Sequence, residues 1–153
     1  MLACITREPL LCKGGYSTPN DSSLFVFARN PARLSDSDYT LYFLQEFMVV
    51  QRPSQNNWAI KTRKYSYVIE RRSDGREIIA FHWDPSESAK VQYAHVHAEM
   101  VGLNRKCHIP TGRVPIEDVV SFAIHELGVK PLQSKWKRTI LEAREVFMGQ
   151  KTW

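Results

Sequence analysis

His82, His95, His97 and His108 fall within 27 residues of a chain that holds five histidines in all. Imidazole changes charge near neutral pH, binds metal ions and carries protons, so this concentration marks the chain's candidate chemistry. His95 and His97 form a His-x-His triplet in the run Tyr93-Ala94-His95-Val96-His97-Ala98-Glu99. On a strand, residues two apart point to one side, roughly 7 Å apart along the backbone. Both rings could then reach one metal ion or one phosphate. If the strand before them pairs with theirs, His82 joins as a third member. Three imidazoles and a water suit a divalent ion such as a catalytic zinc, with Asp84 or Glu99 to add a ligand or orient a ring. A metal is not required. The same rings could act as acid and base on a ribose 2′-hydroxyl and its phosphodiester. The residues alone do not identify a cofactor, and strand histidines also pack at sheet edges and bond to backbone without any chemical role.

Anion binding has its own candidates. Pro110-Thr111-Gly112-Arg113 precedes a predicted helix, whose free backbone N–H groups favour negative charge. Thr111 offers a hydroxyl, Gly112 close backbone approach, and Arg113 a two-pronged donor. Arg76 is the second cation that would clamp a phosphate beside the histidines. The alternative is a plain turn, with Arg113 solvated or paired to Glu117. Lys61, Arg63, Lys64, Arg71 and Arg72, interleaved with Tyr65 and Tyr67, could bind single-stranded RNA by charge and stacking. They also fit the wet face of a strand. Cys107 beside His108 does not make a nucleophile–base pair, since strand neighbours face opposite sides.

The elements that position these groups read as strands first and helices last. Leu24–Ala28 and Tyr39–Val50 are rich in aromatic and β-branched residues and predict strands. Trp58–Glu70 predicts a third. Its alternation changes parity midway, which predicts a bulge near Arg63. Ser73-Asp74-Gly75 supplies a hairpin turn into Arg76–Trp83, with Ile78, Ala80 and His82 on one face and Glu77, Ile79, Phe81 and Trp83 on the other. Val91–Met100 is the next strand, and Cys107-His108-Ile109 a brief extended segment. A helix follows Pro115, with Glu117 and Asp118 in its first turn and Gly128 as its stop. A second begins after Ser134 and buries Trp136, Ile140, Ala143 and Phe147. Trp58, Trp83 and Trp136 fit core positions. Residues 1–23 read as an irregular N-terminal segment, with Ala3-Cys4-Ile5 a short edge strand or a frayed end. The expected fold is therefore α+β: an antiparallel β-meander followed by two C-terminal helices packed on one face.

At 153 residues the chain predicts a single domain, 1–153, with 43% apolar and 24% charged residues. No apolar run is long enough to span a membrane and no signal peptide stands at the start, so the expected location is cytoplasmic and no membrane partner is expected. Cys4, Cys12 and Cys107 lack C-x-x-C spacing, which argues for reduced thiols. The net charge of +5 favours an acidic partner such as RNA.

From Lys64 to Leu127 the chain also resembles a known family. Tyr65-Ser66-Tyr67, Asp74-Gly75-Arg76-Glu77, His82-Trp83, His95-Val96-His97, Pro110-Thr111-Gly112-Arg113 and Glu117-Asp118-Val119-Val120 resemble a small family of uncharacterised bacterial proteins. That family is distantly similar to the TumE-like toxins of toxin–antitoxin modules. The resemblance implies a toxin or antiviral defence component acting on RNA, with a protein such as an antitoxin as partner. It carries over His82, His95 and His97 as motif positions, with no separate role for each. Two functions follow as expectations: a histidine-dependent ribonuclease or phosphodiesterase, and a non-catalytic protein-binding module of such a system; the meander with C-terminal helices adds a third by architecture, a ubiquitin-conjugating-like domain with Cys107 as acceptor. Oligomeric state is open.

Overall fold

The computed structural model describes residues 1–13, 24–28, 30–52, 57–98 and 107–150. Their strands are β1 (Leu10–Lys13), β2 (Leu24–Ala28), β3 (Ala32–Arg33), β4 (Tyr39–Arg52), β5 (Asn57–Arg71), β6 (Arg76–Trp83), β7 (His95–Ala98) and β8 (Ile109–Pro110). All pair antiparallel in one sheet, in the order β1-β2-β4-β5-β6-β7-β8, with β3 beside β2 on the same edge of β4. Two helices follow, α1 (Ile116–His125) and α2 (Trp136–Gln150). The fold is the expected α+β meander with two C-terminal helices.

Alternation sorts the sheet into two faces. Leu41, Phe43, Tyr65, Tyr67, Ile69 and Trp83 point to the helix side and are at most 8% exposed. Against them α1 lays Ile116, Val119, Val120 and Ala123, a stripe at helical spacing. Each such apolar side chain contributes roughly 1.5–3 kcal/mol when fully buried, so this face holds the molecule together. Phe43, Tyr67 and Tyr65 stack in series, with ring centroids 5.2 and 4.8 Å apart, and Trp83 continues the row at 6.1 Å. The reading of Tyr65 and Tyr67 as an RNA-stacking platform is thereby overturned, because both rings are sealed in the core.

Pro115 takes an extended conformation at the N-cap, Glu117 and Asp118 occupy the first turn, and the helix runs to His125, short of the expected stop at Gly128. Gly128 adopts φ +69°, and Val129 N–H returns to the carbonyl of Ala123 at 3.0 Å, which closes the end of α1. In α2, Ile140 is buried and Trp136 packs against the core.

Three expectations need correction. Leu2–Cys4 is a 3-10 turn, not an edge strand or a frayed end, and Cys4 and Ile5 are fully buried. The N-terminal segment is not wholly irregular, since Leu10–Lys13 pairs with β2. Only His95–Ala98 of the predicted Val91–Met100 strand forms a ladder among the described residues. Backbone pairing decided each of these, and local composition does not report it. Glu99, the connection 101–106 and the side chain of Trp58 lie outside the described residues.

Candidate metal centre

Two ladders set the site. β6 pairs with β7 so that His82 is opposite His95 and Ala80 opposite His97. β7 pairs with β8 so that His95 is opposite Pro110 and Val96 opposite Ile109. One more step along that register places His108 across from His97. Cross-strand partners share a face, so all four imidazoles stand on the side of the sheet opposite the one that α1 packs against. Ring centroids measure 5.6 Å for His82–His95, 5.0 Å for His82–His97, 5.1 Å for His95–His97, 5.0 Å for His95–His108 and 4.6 Å for His97–His108. His95 and His97 are the centre of the group, with His108 on one flank and His82 on the other.

His95, His97 and His108 each offer a ligand atom, and these atoms lie within 4.8 Å of one another. Ligand nitrogens around a tetrahedral ion sit roughly 3.4 Å apart, so ring rotations of about an ångström would complete the set. His95 Nδ1 lies 2.9 Å from the carbonyl oxygen of Tyr93. A carbonyl only accepts, so Nδ1 carries the proton and donates it, and the lone pair is left on Nε2. His97 Nδ1 lies 3.7 Å from Glu77 Oε1. Its Nε2 is buried and has no hydrogen-bond partner, a costly state for a polar atom unless something fills the space before it. One nitrogen held by a carbonyl, the other left with its lone pair, is the arrangement of metal-bound histidines, and His95 shows it; Glu77 lies near His97 Nδ1 without a hydrogen bond to it.

Charge favours the same use. Burial, then the neighbouring rings of His97, His95 and His108, lower the His82 pKa to about 4. Burial followed by His108 and His95 also lowers that of His97. Both rings are neutral at pH 7, the form that ligates metals.

Glu77 reaches His97 through a bulge that the alternation pattern hid. Ile69 pairs with Ile79, yet Glu70 pairs with Glu77, so Ile78 has no partner on β5. The extra residue moves Glu77 from the helix side, where plain alternation puts it, to the histidine side. The expected bulge in β5 is where the parity change placed it: Glu46 pairs with Lys64 and Phe47 with Thr62, leaving Arg63 out of register.

The structure brings together His82, His95 and His97, as expected, and adds His108. It does not bring the phosphate-binding candidates to them. The Arg113 guanidinium lies 3.6 Å over the ring of Trp83, on the helix side, and the neighbouring Val114 N–H donates to Tyr65 Oη at 2.9 Å. Thr111 continues the β8 ladder by donating to Ala94 O, and its hydroxyl is buried without a partner. Gly112 is exposed. Arg76 sits at the hairpin end of β6, about 20 Å along the strand from His82. Asp84 bonds the Ser86 backbone and lies 3.9 Å from Lys64, whose second partner is Glu46 at 3.5 Å. Cys107 is exposed, and the fifth histidine, His125 of α1, packs against Trp136 of α2.

Among the described residues no helix is long and apolar enough to cross a membrane. No protein-family model, curated protein or solved structure matches the chain.

Proposed function

We propose that the chain is a metal-dependent phosphodiester hydrolase, with RNA as the first substrate to test. The observation that carries this reading is the convergence of His95, His97 and His108, with the Nδ1 of His95 bonded to a carbonyl and the Nε2 of His97 buried and unpartnered. Imidazole ligands suit zinc, copper, iron and nickel. An ion held by three imidazoles with one position open acts as a Lewis acid and lowers the pKa of bound water. His82 stands beside His95 and His97 as a neutral ring. Glu77, 3.7 Å from His97, is placed to orient that ring. The resemblance of Lys64–Leu127 to toxin-like proteins and the net charge of +5 support RNA as the substrate.

A metal-free acid–base pair is less well supported. It needs one ring protonated near neutral pH, and burial and mutual repulsion oppose protonation of His82 and His97. It also needs a cation beside the phosphate, and Arg113 lies across the sheet.

Elemental analysis of the purified protein, followed by RNA cleavage with and without a chelator, tests the proposal. The expected result is about one equivalent of a transition metal, and cleavage lost on chelation and restored by that metal. Metal binding without cleavage of RNA or a model phosphodiester would leave a structural metal module in its place. Absence of binding to zinc, copper, nickel or iron(II) would remove the site itself.

A further inference from the structure

A concave region lies away from the histidines. Its volume is 770 Å³, within the roughly 300–1,000 Å³ range of small-ligand sites. Four separate segments build it: residues 6–8, the turn from Arg33 to Asp38, Arg72 at the β5–β6 hairpin, and the α1–α2 connection at Lys130–Leu132. Backbone bonds lock these segments together. Ser35 N–H donates to Ile5 O at 2.8 Å, Leu132 N–H to Cys4 O at 2.7 Å, and Arg72 N–H to Asp38 O at 2.7 Å. The Ser35 hydroxyl adds a bond to Lys130 O. Beneath them Ile5, Leu34 and Val129 are buried. The walls are therefore preset rather than loose.

Their charges are unevenly matched. Lys130 meets Asp36 at 2.5 Å and Arg72 lies 3.8 Å from Asp38. Those two pairs consume two carboxylates. Arg7 and Arg33 line the same cleft, both exposed, and neither pairs with a carboxylate among the described residues. The remaining acid is Glu8, whose backbone N–H is tied to the Thr6 hydroxyl at 3.1 Å. Each guanidinium carries a fork of donors of the kind that phosphate oxygens accept, and both line this one concavity.

We propose that this cleft binds a phosphate group through Arg7 and Arg33. The group belongs either to a phosphorylated ligand of nucleotide size or to one unit of an RNA backbone. The proposal does not depend on the histidine centre, none of whose residues line this cleft.

The test is a titration of the ¹⁵N-labelled protein with inorganic phosphate, then adenosine monophosphate, then a six-nucleotide single-stranded RNA, followed by NMR. Phosphate is expected to shift the Nε–Hε signals of Arg7 and Arg33 and the amides of 33–38. Arg7→Gln and Arg33→Gln should each weaken binding by about fivefold or more, and Glu8→Gln should strengthen it, because one repelling carboxylate is gone. His95→Ala should leave these shifts unchanged. The three side chains to be exchanged are exposed, so the folded state should persist; wild-type titration alone also decides the point. Tighter binding of the mononucleotide than of phosphate, with no gain for the RNA, assigns a small ligand. Affinity that rises with chain length and falls steeply with salt assigns an RNA backbone. No shift at the cleft in 20 mM phosphate, or equal binding by the Arg7→Gln/Arg33→Gln protein, overturns the proposal.

Discussion

Glu77 comes within 3.7 Å of His97 because Ile78 is extruded from the β5–β6 ladder. A single unpaired residue thus supplies a histidine of the sheet face with a carboxylate. Such partners raise ligand basicity and hold the ring in one orientation. Glu77→Gln should weaken metal affinity by about 10-fold or more while leaving the fold intact. Isothermal titration with zinc measures it. An unchanged affinity would mean that Glu77 does not act on the ring.

Removing a central ligand is more severe than removing its support. His95→Ala and His97→Ala should each abolish stoichiometric metal uptake and lower phosphodiester cleavage by at least about 100-fold. His82→Ala should retain the metal, because its ring lies on the flank away from His108. Metal content and initial rates, measured on the same preparations, separate the two cases.

Acid should destabilise the metal-free protein over a defined window. His82 titrates at about 4 when folded, against an ordinary histidine value of 6.5. Between those limits the unfolded chain binds the proton and the folded chain does not, so stability falls as pH drops from 6.5 to 4. Above 6.5 neither state is protonated and the effect vanishes. The loss should be on the order of 1–2 kcal/mol after allowance for solvent at a partly exposed ring, with His97 acting in the same direction. Denaturant melts of chelator-treated wild type and His82→Ala at pH 7 and pH 4.5 measure it, and the variant should show the shallower loss.

Arg113 tests the separation of the two sheet faces. Its guanidinium stacks on Trp83, so Arg113→Ala should cost about 0.5–2 kcal/mol of stability and change the cleavage rate by less than about twofold. A large rate loss at constant stability would restore it to a phosphate-binding role.

Ile69 is fully buried at the middle of the core face. Ile69→Ala should cost about 2–5 kcal/mol, read from the denaturation midpoint, without altering the metal stoichiometry of the folded fraction.

Much of this arrangement was legible in the residues. The parity change around Thr62–Lys64 marked the bulge at Arg63, Asp74-Gly75 marked the hairpin, and spacing put His95 and His97 on one side. Pairing β6 with β7 then brought in His82. His108 was harder to place, because its register depends on how the chain returns after β7, and no local pattern encodes that return. Alternation puts Glu77 on the wrong face, because the β6 bulge at Ile78 leaves no mark in it. Arg113 looked like a clamp because its neighbours resemble an anion-binding turn, yet the core offered its guanidinium an aromatic surface on the other side. Periodicity gave the sides of strands; it did not give departures from the ladder.

β8 is only two residues long, and His108 stands just outside it. So narrow a rim breathes at small energetic cost. Coordination shared by His97 and His108 would rivet that rim to a strand already locked by β6. Slower amide hydrogen exchange at Ile109 on metal loading would be the mark of a centre that finishes the sheet as well as serving its chemistry.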